Sequence, residues 1–222
     1  MSEKEKHFTE NDRIFYSDGY KLAQSAVDQG ISNQSLFAAM ESLYTAIDGL
    51  NESVTALAKR QNSAVACLKG CDWCCHQEVY AGSYELHFLS AQIKIIFSPE
   101  ELAELKNRIE EKYERTSGLT DDEVLNFKSA CPLLRDGACS MYSFRPMACR
   151  IYMSTKLETC IHFYHHPEDV ANFPALIEFP LRAGRMMNEG FGAALKEIGL
   201  QSVEFRLEDG LRRALQTDLL IH

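Results

Sequence analysis

Apolar residues recur along most of this chain at helical spacing. The clearest run is Leu36, Met40, Leu43, Ile47, Leu50, Val54 and Leu57, alternating steps of four and three. Such residues fall on one face of a helix. Ser32-Asn33 offers an N-cap before the run. Gly49 costs about 1 kcal/mol relative to Ala but leaves the phase intact. A weaker continuation through Gln61, Ala64 and Leu68 predicts one helix over roughly 33–65, running into a cysteine-rich stretch. The stripe suits a helix packed on its own domain or a coiled-coil seam between two copies of the chain.

Upstream, 9–29 reads as a helix with Phe15, Leu22 and Ala26 on one side and Gly30 as its stop. Downstream, Val79-Tyr80-Ala81 predicts a short extended piece, and Gly82-Ser83 opens a helix over 84–97. Ser98-Pro99-Glu100-Glu101 combines a serine N-cap, proline in the first turn and favourably placed acids. The helix it starts, 99–114, buries Leu102, Leu105 and Ile109, and its charge run reads as a solvated face. Thr120 to Glu123 suggests a further short helix or turn. Residues 131–160 carry little periodicity and read as a loop-rich patch, with an Asp136-Gly137 turn. Helical spacing returns over 175–199, perturbed near Pro180, and over 202–217.

The pattern predicts a mainly α fold. Helices fill 1–66, a cysteine region with a helical insertion at 84–116 occupies 67–165, and helices follow over 166–222. We expect one compact domain, because 222 residues suffice to bury a core without covalent staples.

Eight cysteines fall well below the density of secreted disulfide scaffolds. The start, Met-Ser-Glu-Lys-Glu-Lys-His-Phe, has no apolar signal segment, and no apolar run approaches a membrane span. These features predict a cytoplasmic protein, where reduced, clustered cysteines favour metal over disulfides. The formal net charge of −9 argues against a general nucleic-acid or anionic-membrane surface.

Four cysteines crowd into Cys67-Leu-Lys-Gly-Cys71-Asp-Trp-Cys74-Cys75, and four follow at Cys131, Cys139, Cys149 and Cys160. If 65–75 is helical, the first group shares a face at offsets of four, three and four, with Cys75 turned about 100° from Cys74. A tetrahedral zinc needs only four ligands. The surplus fits a binuclear site, an iron–sulfur cluster with extra thiols, or some cysteines serving the core. Soft thiolates suit both zinc and iron–sulfur clusters.

The second half then reads Cys131-Pro132-x-Leu134, Gly137-x-Cys139, Tyr142, Arg145-Pro146 and Cys149-Arg150. Together these motifs resemble the YkgJ-type cysteine-cluster family of zinc- or iron-chelating domains, known by a CxxCxxCC signature. The resemblance covers roughly 67–165. One departure is Cys67-x3-Cys71 in place of the commoner two-residue gap. The resemblance implies metal binding, with Cys71, Cys74, Cys75, Cys131, Cys139 and Cys149 as foremost ligands and Cys67 and Cys160 next. The flagellin lysine N-methylases are similar in carrying such a cluster.

Cys67-x3-Cys71-x-Trp73-Cys74 also fits the spacing of a radical-SAM loop, although no strand precedes it and no strand–helix repeat follows. Arg145 and Arg150 either neutralise the thiolates or hold the loop through salt bridges, and Tyr142 and Trp73 pack over the cluster. His76, His162, His165 and His166 are secondary ligand candidates, and Glu85 and His87 are surface polar residues with a chance of facing the site. No phosphate loop, G-x-S-x-G elbow or H-E-x-x-H motif occurs.

The functional expectation is a metal-binding protein, with zinc or iron/iron–sulfur as cofactor and an unidentified protein partner or substrate. An iron–sulfur-dependent enzyme, such as a SAM-dependent protein lysine methylase or a redox enzyme, is the competing class. A helical interaction module with a structural metal, able to self-associate through the long helix, is the third.

Overall fold

Thr9 caps α1 (Glu10–Asp28) through a reciprocal pair of bonds with Asp12, and Ser32 caps α2 (Asn33–Arg60) in the same way with Ser35. This computed structural model describes residues 8–68, 70–169, 171–200 and 202–216. The predicted extension of α2 to 65 fails for a local reason. Asn62 turns left-handed at φ +54, and Ser63 and Asn62 donate back to the carbonyls of Ala58 and Lys59. That reciprocal closure satisfies the last carbonyls and ends the helix.

Beyond a 3-10 turn (Trp73–His76), β1 (Tyr80–Gly82) leads into α3 (Ser83–Ile96), α4 (Pro99–Thr116) and α5 (Asp121–Asn126). A hairpin of β2 (Leu134–Arg135) and β3 (Ala138–Cys139) turns on Asp136 and Gly137, whose φ values are +50 and +73. Two successive positive φ values make the tight turn that matches strand twist. A second 3-10 turn (Tyr142–Phe144) precedes α6 (Met147–Arg150), α7 (Leu157–His165) and α8 (Glu178–Glu197). The chain closes with β4 (Glu204–Arg206) and α9 (Leu207–Gln216).

Three further boundaries differ from the sequence pattern. Residues 157–165 form α7 where the pattern implied loop up to 160. Helix α8 starts after Ile177 because 175–177 bond in extended form to 153–155, and Pro180 sits in its first turn, where a missing N–H costs no intrahelical bond. The segment before α9 is strand, since β4 pairs antiparallel with β1, Ala81 opposite Phe205.

The fold is mainly helical, as the periodicity predicts. One apolar core gathers Leu36, Met40, Leu43 and Ile47 of α2 with Ala23 and Ala26 of α1, Phe88 of α3 and Met187 and Phe191 of α8. The first half of the long stripe therefore faces the chain's own core, while Leu57 and Leu68 are exposed. A second core joins Leu86, Leu89 and Ile93 of α3 to Leu105 and Ile109 of α4 and Leu207 and Leu211 of α9. Helix α3 is shared by both, which explains why eight of its 14 residues are buried. Each fully buried Leu or Ile contributes roughly 1.5–3 kcal/mol before entropy.

Helices α1 and α8 touch backbone to backbone. A Cβ on Gly190 would stand 2.0 Å from the Tyr16 carbonyl oxygen, and one on Gly19 would stand 1.9 Å from that of Met187. Among the described residues no helix is long and apolar enough to cross a membrane.

Candidate metal centre

Backbone hydrogen bonds join the two cysteine segments. The Cys131 amide donates to the Cys75 carbonyl at 2.7 Å, and Ser129 donates to His76 at 3.0 Å. On the other flank, Ala66 donates to the Ser154 carbonyl at 2.8 Å, and the Ser154 amide donates to Cys67 Sγ at 3.2 Å. Cys74 and Cys75 lie in the first 3-10 turn, Cys139 on β3, Cys149 in α6 and Cys160 on the buried face of α7. The described residues of 65–75 form no α-helix, so the shared helical face expected for Cys67, Cys71, Cys74 and Cys75 does not form. The first 3-10 turn presents Cys74 and Cys75, and irregular chain before it presents Cys67 and Cys71.

All eight cysteines are free thiols, and seven of them, all but Cys160, line one cleft of about 1850 Å3. Their electrostatic neighbours divide them. Burial pushes the Cys131 thiol up to about 12, and nearby Cys139 and Cys75 add to the shift. Burial also drives Cys149 well up, with Cys131, Cys139 and Cys75 contributing. Cys75 is raised first by a hydrogen bond with Cys74, then by burial, and Cys139 by burial. Cys67 is raised by burial, with Cys71 and Cys160 as its thiol neighbours. One neighbourhood is therefore Cys75, Cys131, Cys139 and Cys149. The other holds Cys67, Cys71 and Cys160, and Cys74 stands between, beside both Cys75 and Tyr152.

The donor chemistry fits a thiophilic metal, since soft, desolvated sulfur suits zinc and iron. The thiols surround the cleft without closing to coordination: among the described residues, no three His, Cys, Asp or Glu side chains form a group able to hold an ion. A family profile described as "Putative zinc- or iron-chelating domain" and named CxxCxxCC matches residues 66–175.

The chain belongs to the CxxCxxCC family. The matched stretch contains all eight cysteines, the hairpin and α6. Comparison with curated proteins and with solved structures returned no match.

Outside the CxxCxxCC stretch, α2 grips it. Tyr44, Asp48 and Asn51 follow one another at steps of four and three, one position round from the apolar stripe. Arg150 ion-pairs with Asp48, donates to the Ser143 carbonyl and lies over the Tyr44 ring at 3.9 Å. Asn51 donates to the Arg150 carbonyl at 3.0 Å. The Arg150 side chain is 1% exposed, so it braces the loop. Arg145 differs: it stacks on Tyr142 at 3.8 Å, lies 3.6 Å from Asp48, and its charge pulls the Cys139 and Cys149 thiols down. Tyr142 is exposed at the cleft rim, and Trp73 packs edge-on to Tyr164 of α7.

Two residues that the sequence reading set aside belong to this site. Lys112, expected on a solvated face, is buried, and its Nζ donates to the Ser129 carbonyl at 3.1 Å. Its charge reaches both Cys75 and Cys131. The signal was available: Leu105, Ile109 and Lys112 share the apolar spacing of α4. Glu85, expected at the surface, is 1% exposed. It accepts from Tyr44 at 3.0 Å, from the Met147 amide at 2.7 Å and from the Gly82 amide at 3.0 Å. Burial raises its carboxyl while those donors resist the rise. Glu85 thus caps both α3 and the start of the helix that carries Cys149.

None of His76, His87, His162, His165 and His166 lines the thiol cleft. His76 bonds the Asp72 carbonyl, and His87 is buried against Asn33.

Proposed function

We propose that the cleft is a metal centre in which Cys75, Cys131, Cys139 and Cys149 hold one zinc or iron, or one face of a cluster. Cys67, Cys71 and Cys160 supply a second set, with Cys74 shared between them. One observation carries this reading: four half-buried thiols from four separate pieces of chain line one cleft within each other's electrostatic reach, and none is paired in a disulfide. Burying thiolates together is costly without a compensating charge, and a metal ion is the group that supplies it. When bound, it would tie the first 3-10 turn, the hairpin and α6 together, so its main action is to organise the 131–150 loop. Lys112 and Arg145 supply further positive charge.

The size of the cleft supports a second reading, an enzyme or redox protein with a ligand beside the metal. At about 1850 Å3 the space exceeds the roughly 300–1,000 Å3 of a ligand pocket, far more than an ion needs. Its far wall is α8, through Arg185, Asn188 and Lys196.

Anaerobic purification followed by metal and sulfide analysis tests both. Colourless protein with stoichiometric zinc supports the organising role, and brown protein with iron and sulfide supports the second reading. Cys139→Ser should lose metal from the first set, and Cys67→Ser should lose less. Metal-free protein with paired cysteines and an unchanged fold would sink the proposal.

A further inference from the structure

The outer face of α7 carries chemistry that the thiol centre does not use. Cys160 points inward at 7% exposed. His162, two positions on and therefore about 200° round the helix, points outward. His166 follows four residues later, and the two imidazole centroids stand 4.9 Å apart. A shallow hollow here is lined by Glu158, Ile161, His162, His165 and His166.

The His162 ring has one nitrogen on a carboxylate, and the His166 ring has a carboxylate nearby. His162 Nε2 meets Asp169 Oδ2 at 3.0 Å, and His166 Nδ1 lies 3.6 Å from Glu168 Oε1. Asp169 is itself fixed by Asn172 Nδ2 at 2.7 Å and by the Ala171 amide at 3.2 Å. A carboxylate on one ring nitrogen is the arrangement that orients a metal-binding histidine and raises the basicity of the other nitrogen. Here it leaves His162 Nδ1 and His166 Nε2 for a ligand. His165, by contrast, packs against Trp73 and Tyr164.

We infer that His162 and His166 form a second, solvent-facing site for a borderline divalent metal ion such as zinc or nickel. His162 stands on the last turn of α7 and His166 is its capping residue, whose amide donates to the His162 carbonyl; histidines four apart are a recurrent chelating pair, and imidazole favours these ions over calcium or magnesium. No third protein ligand stands ready among the described residues, so water completes the shell and the ion exchanges readily. The site is independent of the thiol centre.

The test uses the full chain loaded with zinc and passed over a chelating resin, which strips readily exchanging zinc and leaves the thiol sites filled, then dialysed against further zinc. One additional equivalent should bind. It should be lost in the His162→Gln/His166→Gln double variant and kept in His165→Gln. On the resin-treated wild type, added nickel should broaden the ring resonances of His162 and His166 before those of His76. No additional equivalent, an undiminished one in the double variant, its loss in His165→Gln, or broadening that starts elsewhere would each overturn the site.

Discussion

The Cys131 amide donates to the carbonyl of Cys75 at 2.7 Å. The two halves of the cysteine motif thus meet as hydrogen-bonded neighbours, and their thiols enter the site from one short ladder. A metal held there would be bound only by the folded chain and would stabilise it by mass action.

Stripping the metal with a chelator should therefore lower the melting temperature. A ligand at 100 times its Kd contributes about 2.7 kcal/mol, equivalent to about 5–10 °C for a chain of this size. Hydrogen exchange should quicken at 129–140 much more than in α1. Equal acceleration in both places would contradict a local organising role.

Lys112 offers a sharper test of the site's electrostatics. Lys112→Met keeps the length of the stem and removes the cation near Cys75 and Cys131. Metal affinity should drop by about 10-fold or more, as for other residues behind a metal shell. Lys106→Met, on the exposed side of the same helix, should leave it unchanged. Competition with a chromogenic chelator reads both.

Glu85→Ala would strip the acceptor from the Tyr44 hydroxyl and the Met147 amide inside the core. Leaving buried donors unmet costs about 1–3 kcal/mol each, so a loss on the order of 3 kcal/mol is expected in urea unfolding. Glu85→Gln keeps one carbonyl oxygen and should cost less. A cost below about 1 kcal/mol for the alanine variant would show that the carboxylate is dispensable.

Acid should unlock α1 from α8. The Arg182 guanidinium, hydrogen-bonded to Asp12 at 2.5 and 2.6 Å, holds that carboxyl well below the usual carboxylate range, and Thr9 assists. Because the folded value is depressed, the pair stabilises the fold above the ordinary aspartate value near 4. That stability is lost as pH falls from there through the folded value. Asp12→Asn should flatten this part of the stability–pH curve, followed by circular dichroism between pH 2 and 6.

Helix periodicity disclosed most of the fold because α1, α2, α3, α4 and α8 each bury a continuous stripe. It overran the end of α2, since Asn62 acts through backbone conformation and its flanking spacing looks helical. It missed α7, where the mix of Cys160, Phe163 and Tyr164 with two histidines blurs the apolar face. It also misread 202–206, whose strand character depends on β1, a partner far away in sequence. At the site, cysteine spacing identified the elements that converge. The supporting charges were harder, because Lys112 and Glu85 look like any surface lysine and glutamate until α3 and α4 are packed. Arg145 and Arg150 were one pair in sequence but are two roles in space: Asp48 reaches both, while Arg150 lies over Tyr44 and Arg145 over Tyr142.

The recognisable motif and the folding unit do not share a border. The CxxCxxCC stretch begins at residue 66, yet the counter-ion of its buried Arg150 is Asp48, and the ring beneath that guanidinium is Tyr44. Transplanted without α2, the segment would carry a charge with no partner and a Cys149 helix with nothing to lean on. A functional graft of this cysteine centre must bring the preceding helix with it. Sequence change at 44, 48 and 51 is accordingly constrained by residues about a hundred positions downstream, the span of the Asn51–Arg150 hydrogen bond.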